Sequence, residues 1–65
     1  MRITVNGEAR EVSATTIGSV LEELGYGGAI VATALNGTFL PRSQRSEAAL
    51  SEGDWLEIVA PRQGG

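Results

Sequence analysis

Few of the side chains in this sequence could take part in chemistry. There is no cysteine, histidine or lysine among the 65 residues. Without thiols there are no disulfides, thiolate nucleophiles or Cys-based metal sites. Without imidazoles the usual general base and the commonest metal ligand are missing. The eight carboxylates offer no acid–base pair. Glu22 and Glu23 are neighbours on a predicted helix, where adjacent side chains do not face each other. Gly25, Gly27 and Gly28 follow that helix rather than precede it, so they are not a phosphate-cradling loop. What remains is the end of the sequence, Gln63-Gly64-Gly65. Glycine has no Cβ, so such a segment is thin enough to thread a narrow channel. A free carboxylate at Gly65 is a poor electrophile until it is condensed with ATP to an acyl-adenylate. A sulfur or nitrogen nucleophile can then displace AMP. Gly65 is therefore the candidate acceptor, with Gly64 and Gln63 as the threading spacer.

Composition narrows the setting. A chain of this length holds one domain, and such a domain buries only about 60% of the surface its unfolded chain exposes. Hydrophobic residues make up 42% of the sequence, which is globular rather than disordered. Five arginines against eight acidic residues give a net charge of −3, and the pI is about 4.6. A nucleic-acid binder that tracks phosphates should instead be basic. No apolar run approaches the ~18 residues that span a membrane. The segment Met1-Arg2-Ile3-Thr4-Val5-Asn6 runs straight into a strand pattern with no signal-peptide features. The expectation is a cytoplasmic protein with no metal site and no stably bound cofactor. It should be a carrier or co-substrate acted on by partner enzymes, not an enzyme itself.

The elements that would hold such an end follow from periodicity. Arg2–Asn6 alternates as a half-buried strand. Asn6-Gly7 predicts a type I′ hairpin turn, and Glu8–Val12 is the return strand, charged as an edge strand should be. Ser13–Thr16 offers N-cap residues. Ile17, Val20, Leu21 and Leu24 then form one face of an amphipathic helix, closed by Gly25 as a left-handed cap. Gly18 inside that helix costs roughly 1 kcal/mol against Ala, and close packing is the one reason the residues suggest. Ile30–Leu35 reads as a strand, Asn36-Gly37 as a second hairpin turn, and Thr38–Leu40 as a short return strand ended by Pro41. A helical turn is expected within Arg42–Leu50, a turn at Ser51–Asp54 and a last strand at Trp55–Val59. The helix face should pack on Ile3, Val5, Leu35, Leu56 and Ile58. This is an α+β fold, with the domain over residues 1–60 and a flexible tail over 61–65.

The same alternation turns Val59, Phe39, Ala32, Ala34 and Glu57 away from the helix. Small and apolar groups exposed on one sheet face predict a docking patch, with Glu57 offered to a basic partner surface. Trp55 shares their parity but is expected to pack over a loop. Arg42 is assigned to capping turn carbonyls, with an ion pair to a partner as the alternative.

Taken together, the order β-hairpin, helix, β-hairpin, turn, strand and a Gly-Gly end resembles the β-grasp, ubiquitin-like superfamily. Within it the sequence is similar to the ThiS sulfur-carrier family of thiamine biosynthesis. The likeness spans Met1–Gly7, Thr16–Leu24, Val31–Gly37 with Leu40–Ser43, Glu52–Asp54 and Gln63–Gly65. Two departures stand out. Arg45 occupies a position where many relatives carry an aromatic residue, and Pro61-Arg62 precedes the glycines; both are expected on the contact surface. The resemblance implies a mixed sheet of about five strands with one helix across it. It implies that a ThiF-like adenylyltransferase uses Mg and ATP on the Gly65 carboxylate. A sulfur donor such as a cysteine desulfurase then gives a thiocarboxylate, and a ThiG-like thiazole synthase receives the sulfur. Three other readings are a sulfur carrier for molybdopterin synthase, a ubiquitin-like protein modifier and an interaction domain with an inert end. Lacking lysine, a modifier of this sequence could not build lysine-linked chains of itself.

Overall fold

In the computed structural model, which describes residues 1–60, five strands and one helix follow the expected order. They are β1 (Arg2–Val5), β2 (Glu8–Glu11), α1 (Ile17–Glu23), β3 (Ala32–Leu35), β4 (Thr38–Leu40) and β5 (Trp55–Val59), with a 3₁₀ turn at Arg42–Gln44. The strands form one mixed sheet in the order β2-β1-β5-β3-β4. β5 lies in the centre, parallel to β1 and antiparallel to β3. β2 is an edge strand with all four residues exposed, as its charges predict. This five-strand sheet crossed by one helix is the β-grasp arrangement.

Both Asn-Gly pairs form the predicted hairpin turns. Asn6 and Gly7 have φ of 50° and 87°, and Asn36 and Gly37 have φ of 51° and 86°. These are the positive values that a type I′ turn needs at both central residues.

Helix α1 has only 7 residues, too short to persist alone, so burial and caps must hold it. Thr16 is the N-cap, and its Oγ1 accepts a hydrogen bond from the Ser19 amide at 3.2 Å. At the other end the Tyr26 amide donates to the Leu21 carbonyl at 2.7 Å and the Gly25 amide to the Glu22 carbonyl at 3.1 Å. With Gly25 at φ 95°, this is a Schellman closure. Ile17, Val20 and Leu21 are buried among Ile3, Val5, Leu56 and Ile58, while Leu24 and Leu35 pack at the margin of that core, half-buried. Val12, Val31 and Leu50 complete it; Val31 continues the inward parity of Thr33, whereas Val12 and Leu50 lie where periodicity carries no signal.

Gly18 is explained by a close approach. Its amide donates to the Arg45 carbonyl at 2.9 Å, and a Cβ there would stand 3.3 Å from the Ser46 Cα. Segment 45–50 runs against the helix start, with the Ile17 amide on the Ala48 carbonyl and the Leu50 amide on the Thr15 carbonyl. Glu23 crosses to the opposite side, where its carboxylate accepts from the Ser13 and Ala14 amides at 2.9–3.0 Å.

Two expectations change. β3 begins at Ala32, not Ile30: β5 ends at Val59, opposite Ala32, and among the described residues no strand pairs with Ile30 or Val31. The Val31 carbonyl is instead held by the Arg45 side chain. That overturns the second expectation as well: Arg45 is not on a contact surface but is only 9% exposed.

Candidate functional site

The sheet register gathers the outward-facing residues of three strands. Ala32 pairs with Val59, Ala34 with Glu57, and Ala34 on its other side with Phe39. Directly opposed residues of an antiparallel pair share a face with Cβ atoms about 4.5–5.5 Å apart. All five predicted residues therefore meet in one patch on the face away from α1. Phe39 and Val59 are 66% and 62% exposed, Ala32 and Glu57 are exposed, and Ala34 is half-buried. Together with the edge of Thr33 they line a shallow groove of about 180 Å³.

A second, more apolar groove of about 260 Å³ adjoins it at Ala32 and Val59, walled by Ile30 and Val31. Ile30, 74% exposed, extends the patch and was not among the predicted site residues. The signal was present in its parity, since Ile30, Ala32 and Ala34 alternate with the inward Val31 and Thr33. It was passed over because, of the run read as one strand, only Ala32 and Ala34 were assigned to the outward face.

Trp55 does not join this surface. Its ring covers the second hairpin turn, with Cζ2 and Cη2 3.5 Å from where a Cβ on Gly37 would stand. Packing over a loop is what its position predicted. Arg42 is exposed, and its side chain caps no carbonyl among the described residues; its main-chain carbonyl accepts from Arg45 instead.

The predicted acceptor Gly65, the spacer residues Gly64 and Gln63 and the atypical Pro61-Arg62 all lie outside the described residues. What the structure describes is the strand that leads to them. β5 carries Glu57 and Val59 of the patch, and both of its ends are held by asparagine side chains. In a parallel ladder the amide and carbonyl of Ile58 would continue onto the main chain beyond β1, but the turn at Asn6 carries that chain away. The Asn6 side chain replaces it, with Oδ1 accepting from the Ile58 amide at 2.8 Å and Nδ2 donating to the Ile58 carbonyl at 3.1 Å. At the other end, Asn36 Oδ1 accepts from the Trp55 amide at 2.9 Å and Asn36 Nδ2 donates to Asp54 Oδ1 at 3.1 Å. Asn-Gly predicted the turns and gave no sign of these bonds, which depend on which strand lies alongside.

Among the described residues no cluster of three or more His, Cys, Asp or Glu could hold a metal ion. None of their helices is long and apolar enough to cross a membrane.

Comparison with known proteins agrees with this geometry. A family model described as the ThiS family matches residues 3–65. The sulfur carrier protein ThiS of Thermus thermophilus is 36% identical over 97% of this chain and 98% of its own length. The thiazole synthase of Paramagnetospirillum magneticum is 41% identical over the whole of this chain, which spans only 20% of that protein. A crystal structure of the thiamine biosynthesis protein ThiS from Geobacter metallireducens superposes with a TM-score of 0.84 at 29% identity, each chain covered in full. The solution structure of a thiamine biosynthesis protein from the same organism gives 0.80 at 28%, covering all of this chain and 88% of the other. A match that runs from the first strand through the final glycines, joined to a relative covered over nearly its whole length and a shared fold, leaves one conclusion: the chain belongs to the ThiS family.

Proposed function

We propose that the chain works as a sulfur carrier through its Gly65 carboxylate. The sulfur-carrier role in thiamine biosynthesis comes with the family; the chemistry assigned to individual residues is our reading. A ThiF-like adenylyltransferase, using ATP and Mg, converts the Gly65 carboxylate to an acyl-adenylate and releases pyrophosphate. A persulfide sulfur, supplied by a donor such as a cysteine desulfurase, displaces AMP. Thiol cleavage of the resulting acyl disulfide leaves a thiocarboxylate. A ThiG-like thiazole synthase then takes up that sulfur. The chain contributes no catalytic group, only a recognisable body and a reactive end, and it works in the cytoplasm, where ATP is at hand.

The observation that carries this reading is the continuity of β5. One strand bears Glu57 and Val59 of the exposed patch and runs on within a few residues into Gln63-Gly64-Gly65. A partner docked on Ala32, Ala34, Phe39, Glu57 and Val59 therefore lies close to where the tail departs. The similarity to one part of a thiazole synthase supports that enzyme as a partner, because a carrier-like stretch is there joined to a thiazole synthase in a single protein.

The test is intact-mass spectrometry after incubation with an activating enzyme, Mg-ATP and a sulfur donor. The expected result is exchange of one carboxylate oxygen for sulfur in the full chain and none in a chain lacking Gly65. Full sulfur transfer without Gly65 would overturn the reading. Conjugation of the chain to lysines of other proteins would point to a modifier instead.

A further inference from the structure

Arg45 is the one buried charged side chain among the described residues, and it forms no ion pair there. Its partners are neutral. Nε donates to Thr33 Oγ1 at 3.0 Å and Nη2 to the Val31 carbonyl at 2.6 Å. The Thr33 hydroxyl in turn donates to the Leu40 carbonyl at 3.0 Å, so one guanidinium reaches β3 directly and β4 through a relay. Its main chain is fixed to the helix side, with its carbonyl accepting from Gly18 and its amide donating to the Arg42 carbonyl. Arg45 is thus a strut between the start of α1 and the inner side of the β3–β4 hairpin.

A strut of this kind is an expensive way to fill space. Desolvating a guanidinium is unfavourable, and well-packed apolar replacements of buried charges are often neutral or stabilising. What an apolar side chain cannot supply is a planar fork with donors at fixed angles. Here the fork grips Val31 and Thr33, the inward residues that alternate with Ile30, Ala32 and Ala34. Phe39, opposite Ala34, is adjacent to Leu40, where the relay ends. Each outward residue of the hairpin patch is therefore a chain neighbour of a residue the network holds.

We propose that Arg45 is a positioning residue for the docking patch, setting the β3–β4 hairpin from behind so that the outward side chains are presented to a partner in one arrangement. This rests on the carrier reading for its partner and on the geometry alone for its effect on the hairpin. The experiment compares Arg45→Met, Arg45→Lys, Thr33→Val and the double variant Arg45→Met/Thr33→Val with the full wild-type chain. Two readouts are taken: amide hydrogen exchange of Thr33, Ala34 and Leu40, and KM and kcat for carrier adenylation by the activating enzyme.

The expected result is a folded Arg45→Met chain whose hairpin amides exchange faster. Its KM should rise about five- to tenfold with kcat unchanged, within the range of coupling carried by a residue that does not touch the ligand. Arg45→Lys, with one donor head, should recover part of that rise. Thr33→Val should show the same direction of effect, and the double variant should fall short of the sum of the singles. Faster exchange with unchanged KM would overturn the positioning role, leaving Arg45 purely structural. Unchanged exchange would overturn the strut itself. If Arg45→Met fails to fold, Arg45→Lys and Thr33→Val decide by the same two readouts. Failure of the wild-type chain to be adenylated overturns the carrier reading and the docking role with it, while the exchange data still judge the strut.

Discussion

Asn6 sits at φ 50° and spends its side-chain amide on Ile58, so two separable energies meet at one residue. Asn6→Gly keeps the turn and loses the two hydrogen bonds, at an expected cost of about 1–2 kcal/mol. Asn6→Ala loses the same bonds and adds left-handed strain of about 1 kcal/mol. Urea denaturation of both should rank Gly above Ala in stability; the reverse order would mean that the turn imposes no strain. Gly18 tests a different balance. Helix propensity alone makes Gly18→Ala stabilising by about 1 kcal/mol, but its Cβ would meet the backbone at Ser46, and overpacking costs about 1–3 kcal/mol. The expected outcome is a net loss of about 1 kcal/mol in the same measurement, and a gain would show that segment 45–46 yields easily.

At the scale of elements, helix and strands were legible wherever local pattern and tertiary position agreed. Thr16, Gly25 and both Asn-Gly pairs act where they stand in sequence, and each does what its residue type predicts. Buried Val12 and Leu50 were not legible, because they are placed by neighbouring segments and not by their own periodicity. Arg45 was misread for a related reason: an arginine in a polar stretch gives no hint that the Val31 carbonyl and the Thr33 hydroxyl await it. The outward patch was legible because alternation along a strand is a local rule, although Ile30 was lost inside an apolar run. Two variants probe these elements. Gly25→Ala must place a Cβ at φ 95°, and an expected loss of about 1 kcal/mol in thermal or chemical unfolding would confirm that the Schellman closure holds α1. Val59→Asp puts a charge on the exposed patch with no core contact to lose. It should leave stability within about 0.5 kcal/mol of the wild type while raising the KM of the activating enzyme for the carrier; an unchanged KM would move docking elsewhere.

On the scale of the whole molecule, the charge of −3 and the absence of Cys, His and Lys leave the body chemically quiet. The described core involves residues 3–58, so removing Gly65 should leave the melting temperature unchanged while abolishing sulfur uptake; a large fall in melting temperature would mean that the end belongs to the fold. The central place of β5 has a mechanical consequence. A partner that draws the glycines inward pulls along the axis of a strand flanked by β1 on one side and β3 on the other. Hydrogen bonds that lie across the direction of pull are stretched together rather than one after another, and the Asn6 amide adds two more at Ile58, near the point where tension enters. The strand cannot be peeled out from its end. A tug on the tail is passed to the entire domain, which must turn and follow as a rigid body instead of paying out more chain.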